Sequence, residues 1–206
     1  MNPSSGDASR PGDAETTEAL PRIGSRRVLD CGDSLLLIVD VQERLLPVVA
    51  QPQRVQHNAA RLLQAASLLA VEVAVTEQYP ERLGGTVREL GDALPDAYPK
   101  RAFSAAGSEP LVARLRESRK RQIVLCGIET HVCVLQSALD LLALGLDVLV
   151  VVDAVSSRGT LDHEVALQRM RDEGIGLTTT EACLFEWCRT STDPHFKAIS
   201  RLVKDG

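Results

Sequence analysis

Residues 122–153 read QIVLCGIETHVCVLQSALDLLALGLDVLVVVD, and their reading decides the fold. Gln122–Cys126 is a short apolar run closed by Gly127, the pattern of a strand. From His131 to Leu144 the apolar positions return at helical spacing, and the pattern stops at Gly145, a residue suited to a helix C′ position. Asp147–Asp153 (DVLVVVD) is again a strand, apolar along almost its whole length, as expected of one covered on both faces. Strand, helix and buried strand in succession form a βαβ unit.

The same alternation extends outward in both directions. Upstream, Leu35–Asp40 (LLLIVD) predicts a strand. A helix is predicted over 52–69, with Val55, Ala59, Leu62, Leu63 and Ala66 on its apolar side, and Val71–Thr76 (VEVAVT) predicts a second strand. Residues 77–108 carry Pro80, Gly84, Gly85, Gly91, Pro95 and Pro99 in close order and are expected to cover the sheet as a loop rather than join it; loops this long are usually functional. A helix over 110–118 leads into the quoted segment. Downstream follow a helix over 161–173, the short strand Ile175–Thr179 and a last helical stretch over 182–188. The expected architecture is an α/β three-layer sandwich, a parallel sheet with helices on both faces. No internal repeat is present.

Residues 1–29 are rich in Ser, Pro, Gly, Asp and Thr and lack aromatics, so they predict a disordered tail before a domain spanning 30–206. The tail has no apolar region of an export signal, and Asp7, Asp13, Glu15 and Glu18 argue against an organellar presequence.

Composition bounds the function. A chain of 206 residues with 44% hydrophobic and 25% charged residues supports one core. Lys and Arg number 23 against 28 Asp and Glu, and the net charge of −5 counts against a nucleic-acid partner. The single basic cluster, Arg119–Arg121, ends a predicted helix, where cations suit the helix dipole. Aromatics make up 3%, too few for stacking platforms. The apolar runs fall well short of the ~20 residues of a membrane helix. Cys31, Cys126, Cys133, Cys183 and Cys188 are odd in number and contain no C-x-x-C pair. Neither a disulfide framework nor a zinc cluster follows, and a reducing, cytoplasmic setting is expected.

Ligands of open parallel sheets bind beyond the carboxyl ends of the strands, which selects Asp40, Thr76–Gln78, Gly127–Cys133 and Asp153. Asp40 closes an apolar strand, where a carboxylate either needs a partner or caps the following turn. In GIETHVC (127–133), a strand-to-helix turn with Thr130 as N-cap would put Cys133 at N3, where the helix end favours a thiolate. The plainer reading of a free cysteine is a small buried apolar residue, and it is the one adopted for Cys31, Cys126, Cys183 and Cys188. His131 lies two residues from Cys133 on a helix, hence about 200° away, so no Cys–His dyad is expected. His57, His163 and His195 lack partners at metal-ligand spacing. Lys100, in YPKRAFSA (98–105), would by default be solvated.

Three motifs in order then carry a resemblance: LLLIVDVQERLLPVV around Asp40, YPKRAFSA around Lys100, and VLCGIETHVCVLQSALDLLALG around Cys133. With TEQYPERLGGTVREL, VVVDAVSSR, LTTTEACLFEW and HFKAISRL, the chain resembles the isochorismatase-like cysteine hydrolases over roughly residues 33–203. It is most similar to their isochorismatase domain-containing subgroup. The resemblance implies a six-stranded, mostly parallel sheet and a triad of Cys133 as nucleophile, Asp40 as base and Lys100 as the cation that stabilises the thiolate. It also implies a cis Ile128–Glu129 peptide and an oxyanion hole made by the Glu129 and Cys133 N–H groups. Gln42, Gln78, Tyr79 and Phe103 lie in these motifs as candidates to line the pocket.

Metal-binding relatives carry Asp-x-His and a further His after the second strand. Here Thr76-Glu77-Gln78-Tyr79 follows, so neither metal nor cofactor is expected. The cysteine favours a small-molecule amide, imide or related acyl substrate over a vinyl ether of the isochorismate type. A homo-oligomer, dimer or larger, is implied, and no membrane partner. The competing classes are a non-catalytic oligomeric interaction protein that keeps the fold, and a thiol redox sensor, for which Cys126 is the nearest second cysteine.

Overall fold

The computed structural model describes residues 28–90 and 94–204; residues 1–27 of the expected tail and Gly91 lie outside them. The elements are β1 (Ser34–Val39), α1 (Pro52–Leu68), β2 (Glu72–Gln78), α2 (Pro80–Leu83), β3 (Tyr98–Lys100), α3 (Glu109–Ser118), β4 (Gln122–Ile128), α4 (Leu135–Ala143), β5 (Asp147–Ser156), α5 (Thr160–Asp172), β6 (Gly176–Thr178), α6 (Thr180–Cys188) and α7 (Phe196–Lys204). A single π-helical turn, Thr130–Val134, joins β4 to α4.

Six strands form one sheet in the order β3-β2-β1-β4-β5-β6, and each pairing within it is parallel. Alternation along the strands divides the apolar side chains between two cores. Leu36, Ile38, Val124 and Cys126 face α1, α6 and α7, meeting Val55, Leu62, Leu184, Trp187 and Ile199. Leu35, Leu37, Ile123, Leu125 and Val150 face α3, α4 and α5, meeting Leu111, Ala138, Leu141 and Met170. The result is the three-layer sandwich anticipated from the run pattern. No helix among the described residues is long and apolar enough to cross a membrane.

Two elements differ from expectation. The 77–108 segment does join the sheet, because Tyr98–Lys100 pairs with Thr76–Gln78 as an edge strand. Pro99 lacks a ladder donor, and an edge is where a strand tolerates that loss. A helix also follows Cys188: FKAISRLVK winds into α7, buries Ile199 in the first core and has its last carbonyls bound by Arg61, whose Nε donates to Leu202 O at 2.8 Å. The helix is short and polar over much of its surface, and its apolar stripe matters only once α1 and α6 are beside it.

Candidate active site

Strand order sets the place. The chain runs outward from β1 to β2 and β3, then returns to add β4 on β1's other side, so the crevice beyond the ends of β1 and β4 is a topological switch point. Gly127 lets the two strand ends meet: its φ is +121°, and a Cβ there would lie 2.0 Å from Val39 O. At the end of β1 the chain turns through Asp40 at φ +54°, a left-handed conformation that Asp tolerates better than most residues. Asp40 is fully buried.

The Asp40 carboxylate is paired rather than used as a cap. Lys100 Nζ, arriving from β3, lies 2.7 Å from Oδ2, and Thr76 Oγ1 donates to Oδ1 at 2.8 Å. Lys100 Nζ also donates to Gln78 Oε1 and to Phe103 O, each at 2.8 Å. Its side chain is therefore buried, not solvated. A buried pair of this kind needs further hydrogen bonds to offset its lost hydration, and Thr76, Gln78 and the Phe103 carbonyl supply them.

Cys133 lies in the π turn, 5% exposed, where the charges of both Asp40 and Lys100 act on its thiol. The three residues that the sequence motifs single out are thus brought together from β1, β3 and the turn after β4. The Ile128–Glu129 peptide bond is cis.

Two local expectations are corrected. Thr130 is not an N-cap: Glu129 precedes the turn, and the Thr130 hydroxyl lies 2.9 Å from His163 Nδ1 on α5. The thiol is also not poised as a thiolate, because burial, aided by the Asp40 charge, outweighs Lys100 and pushes the Cys133 pKa up to about 12. His131 turns to Ser157, with Nδ1 2.9 Å from Oγ, in keeping with the absence of a dyad.

The pocket candidates take different places. Gln42 Nε2 donates to Gln78 O and Gly84 O, and its Oε1 accepts from Gln78 N–H at 2.7 Å, so it ties the end of β2 to the following loop. Gln78 holds Lys100 and donates to Arg101 O at 2.9 Å. The Tyr79 ring is covered by the Arg101 guanidinium at 3.7 Å. Phe103 stands 52% exposed. Asp153, flagged at the end of a strand, accepts from Thr180 N–H and Oγ1 and starts α6. Among the described residues no group of three His, Cys, Asp or Glu side chains is arranged to hold a metal ion. Sequence reasoning missed the Glu129–Arg158 pair, in which Nη2 lies 2.6 Å from Oε1: both residues lie in quoted motifs, but the register shift between β4 and β5 that sets their pairing is not written in either.

This fold and site define a family. Residues 34–182 match the profile described as Isochorismatase domain, and the chain belongs to the isochorismatase family. Within it, the chain groups with the isochorismatase domain-containing proteins: protein 2 of that name from Bos taurus is 46% identical over 189 residues, 91% of this chain and 89% of its own length. Among solved structures, one described as the MAR1 ribonuclease of Caenorhabditis elegans superposes with a TM-score of 0.81 at 37% identity, covering 85% of this chain and 92% of its own. The Escherichia coli YcaC gene product, described as an octameric hydrolase of unknown specificity, gives 0.76 at 26% identity, covering 86% and 95%.

Proposed function

We propose that this protein is a metal-independent cysteine hydrolase of a small-molecule amide, imide or related acyl substrate, working through a Cys133 thioester. The observation that carries the reading is the buried Asp40–Lys100 pair acting on one thiol. A structural ion pair has no need of a nucleophile beside it, and a packing cysteine has no need of a base.

Because the thiol rests protonated, its proton passes to Asp40 as sulfur attacks the acyl carbon. The C–S bond forms while the carbonyl π pair moves to oxygen, where the Glu129 and Cys133 N–H groups receive the oxyanion. The tetrahedral centre collapses, the leaving group departs with the proton from Asp40, and the thioester remains. Water then attacks the thioester and gives a proton to Asp40. The acid leaves, and the sulfur recovers that proton. Lys100 holds the Asp40 carboxylate in place through these transfers.

Phe103 is the exposed ring available to a substrate, Tyr79 being covered by Arg101, while Gln42 and Gln78 brace the end of β2 and Lys100. Self-association belongs to the same reading: Phe103, Leu144, Leu161 and Val165 expose apolar side chains, and the YcaC neighbour is octameric. Most of the apolar surface of α4 is already used inside the chain. A ribonuclease activity, which the nematode neighbour's name carries, finds less support: the site's one buried cation is fully engaged, and the net charge is −5.

Screening small amides, imides and activated esters for a mass increase on the Cys133 peptide tests the reading. Cys133→Ala is expected to abolish both adduct and turnover while leaving the fold intact; turnover undiminished in that variant would overturn the mechanism.

A further inference from the structure

We propose that Arg158 and Ser157, at the end of β5, are positioning residues that fix the oxyanion-binding turn through the side chains of Glu129 and His131. The inference rests on the hydrolase reading above.

Glu129 and the first two residues of the turn after it are each tied through a side chain to residues that follow β5. Glu129 accepts from Arg158 four times: from the backbone N–H at 2.9 Å, from Nε at 3.1 and 3.2 Å, and from Nη2 at 2.6 Å. Thr130 Oγ1 lies 2.9 Å from His163 Nδ1. His131 meets the Ser157 hydroxyl twice, by its N–H at 3.4 Å and its Nδ1 at 2.9 Å. Glu129 is 6% exposed, whereas the Arg158 side chain is 64% exposed, so the carboxylate has been taken out of water to meet a surface cation. Burying a carboxylate is costly, and a cation that is itself mostly in water repays little of that cost. The arrangement makes sense as control of direction. Glu129 is the residue whose N–H is assigned to the oxyanion. With its side chain forked onto Arg158, its peptide cannot rotate without breaking charge-assisted bonds. Donors aimed at a developing oxyanion act only if they are held in place beforehand.

Two reactions of the same sulfur separate positioning from other roles. With p-nitrophenyl acetate, the Cys133 sulfur forms a C–S bond at the carbonyl carbon, an oxyanion develops, and p-nitrophenolate leaves. With iodoacetamide, sulfur bonds to the methylene carbon and iodide leaves, and no oxyanion forms. Both rates are read on the full chain at one pH, with the modified Cys133 peptide identified by mass spectrometry. Arg158→Ala and Glu129→Gln are expected to slow acylation about tenfold or more while alkylation changes less than about twofold. Arg158→Lys should fall between, because an ammonium cannot form the fork. Acylation at the wild-type rate in both Arg158→Ala and Glu129→Gln overturns the proposal, as does an equal fall in both reactions, which would place the effect on the thiol or the fold. A wild-type protein that is never acylated at Cys133 overturns the hydrolase reading itself, and the positioning role with it.

Discussion

Lys100 and Asp40 are complementary solutions to the same problem, a charge at the end of an apolar strand. Asp40 cannot be hydrated where it lies, and Lys100 satisfies it while spending its other protons on Gln78 and on the carbonyl of Phe103. Removing one partner of such a pair leaves an uncompensated buried charge, so Lys100→Met is expected to destabilise the fold by about 3–5 kcal/mol. The double variant Asp40→Asn/Lys100→Met should recover much of that loss, because no charge then remains in the crevice. Denaturant titration of the three proteins checks both statements; a Lys100→Met protein as stable as wild type would mean that the crevice admits water to Asp40. Cys133 illustrates the opposite limit. It has a cation nearby, yet burial dominates and the thiol stays protonated, which makes Asp40 a proton acceptor during attack.

At the scale of elements, the site is assembled by short, irregular pieces held by the regular ones. Lys100 ends the edge strand β3, and the 3₁₀ turn after it, at Ala105–Gly107, is fastened to α4 by one bond: Ala105 N–H donates to the buried Ser137 Oγ at 2.7 Å. Ser137→Ala would leave that N–H unpaired in the interior, at a cost of about 1–3 kcal/mol. The effect should be local as well as global. Hydrogen exchange at residues 101–107 is expected to accelerate in the variant relative to β1 and β4, and uniform protection across these segments would remove the role assigned to Ser137. The π turn at Thr130–Val134 is fastened to Ser157, just after β5, and to α5 in the same manner.

For the molecule as a whole, buried thiols make stability fall at alkaline pH. Burial pushes Cys126 and Cys133 up to about 12 and raises Cys183 well above its ordinary value, while in the unfolded chain each returns to about 9.0. Below pH 9 both states hold these protons and the full stability is present. As pH rises from 9 toward 12 the unfolded chain loses them first, so stability falls, by up to about 1.4 kcal/mol per pH unit for each thiol. Denaturant midpoints measured through that window should decline less steeply in Cys126→Ala/Cys133→Ala than in wild type, and equal slopes would contradict the thiol assignment. The sequence by itself determined the layer architecture, because strand runs and helical periodicity report burial along the chain, and it also marked Asp40, Lys100 and Cys133 through their motifs. It left the state of the thiol undecided, since a pKa depends on desolvation and neighbouring charges that no local pattern records. It also left β3, α7 and the Glu129–Arg158 fork unread. Each owes its form to partners distant in the chain: β2 for the edge strand, α1 and α6 for the last helix, and the shifted register of β5 for the fork. Only the tertiary structure brings those partners together.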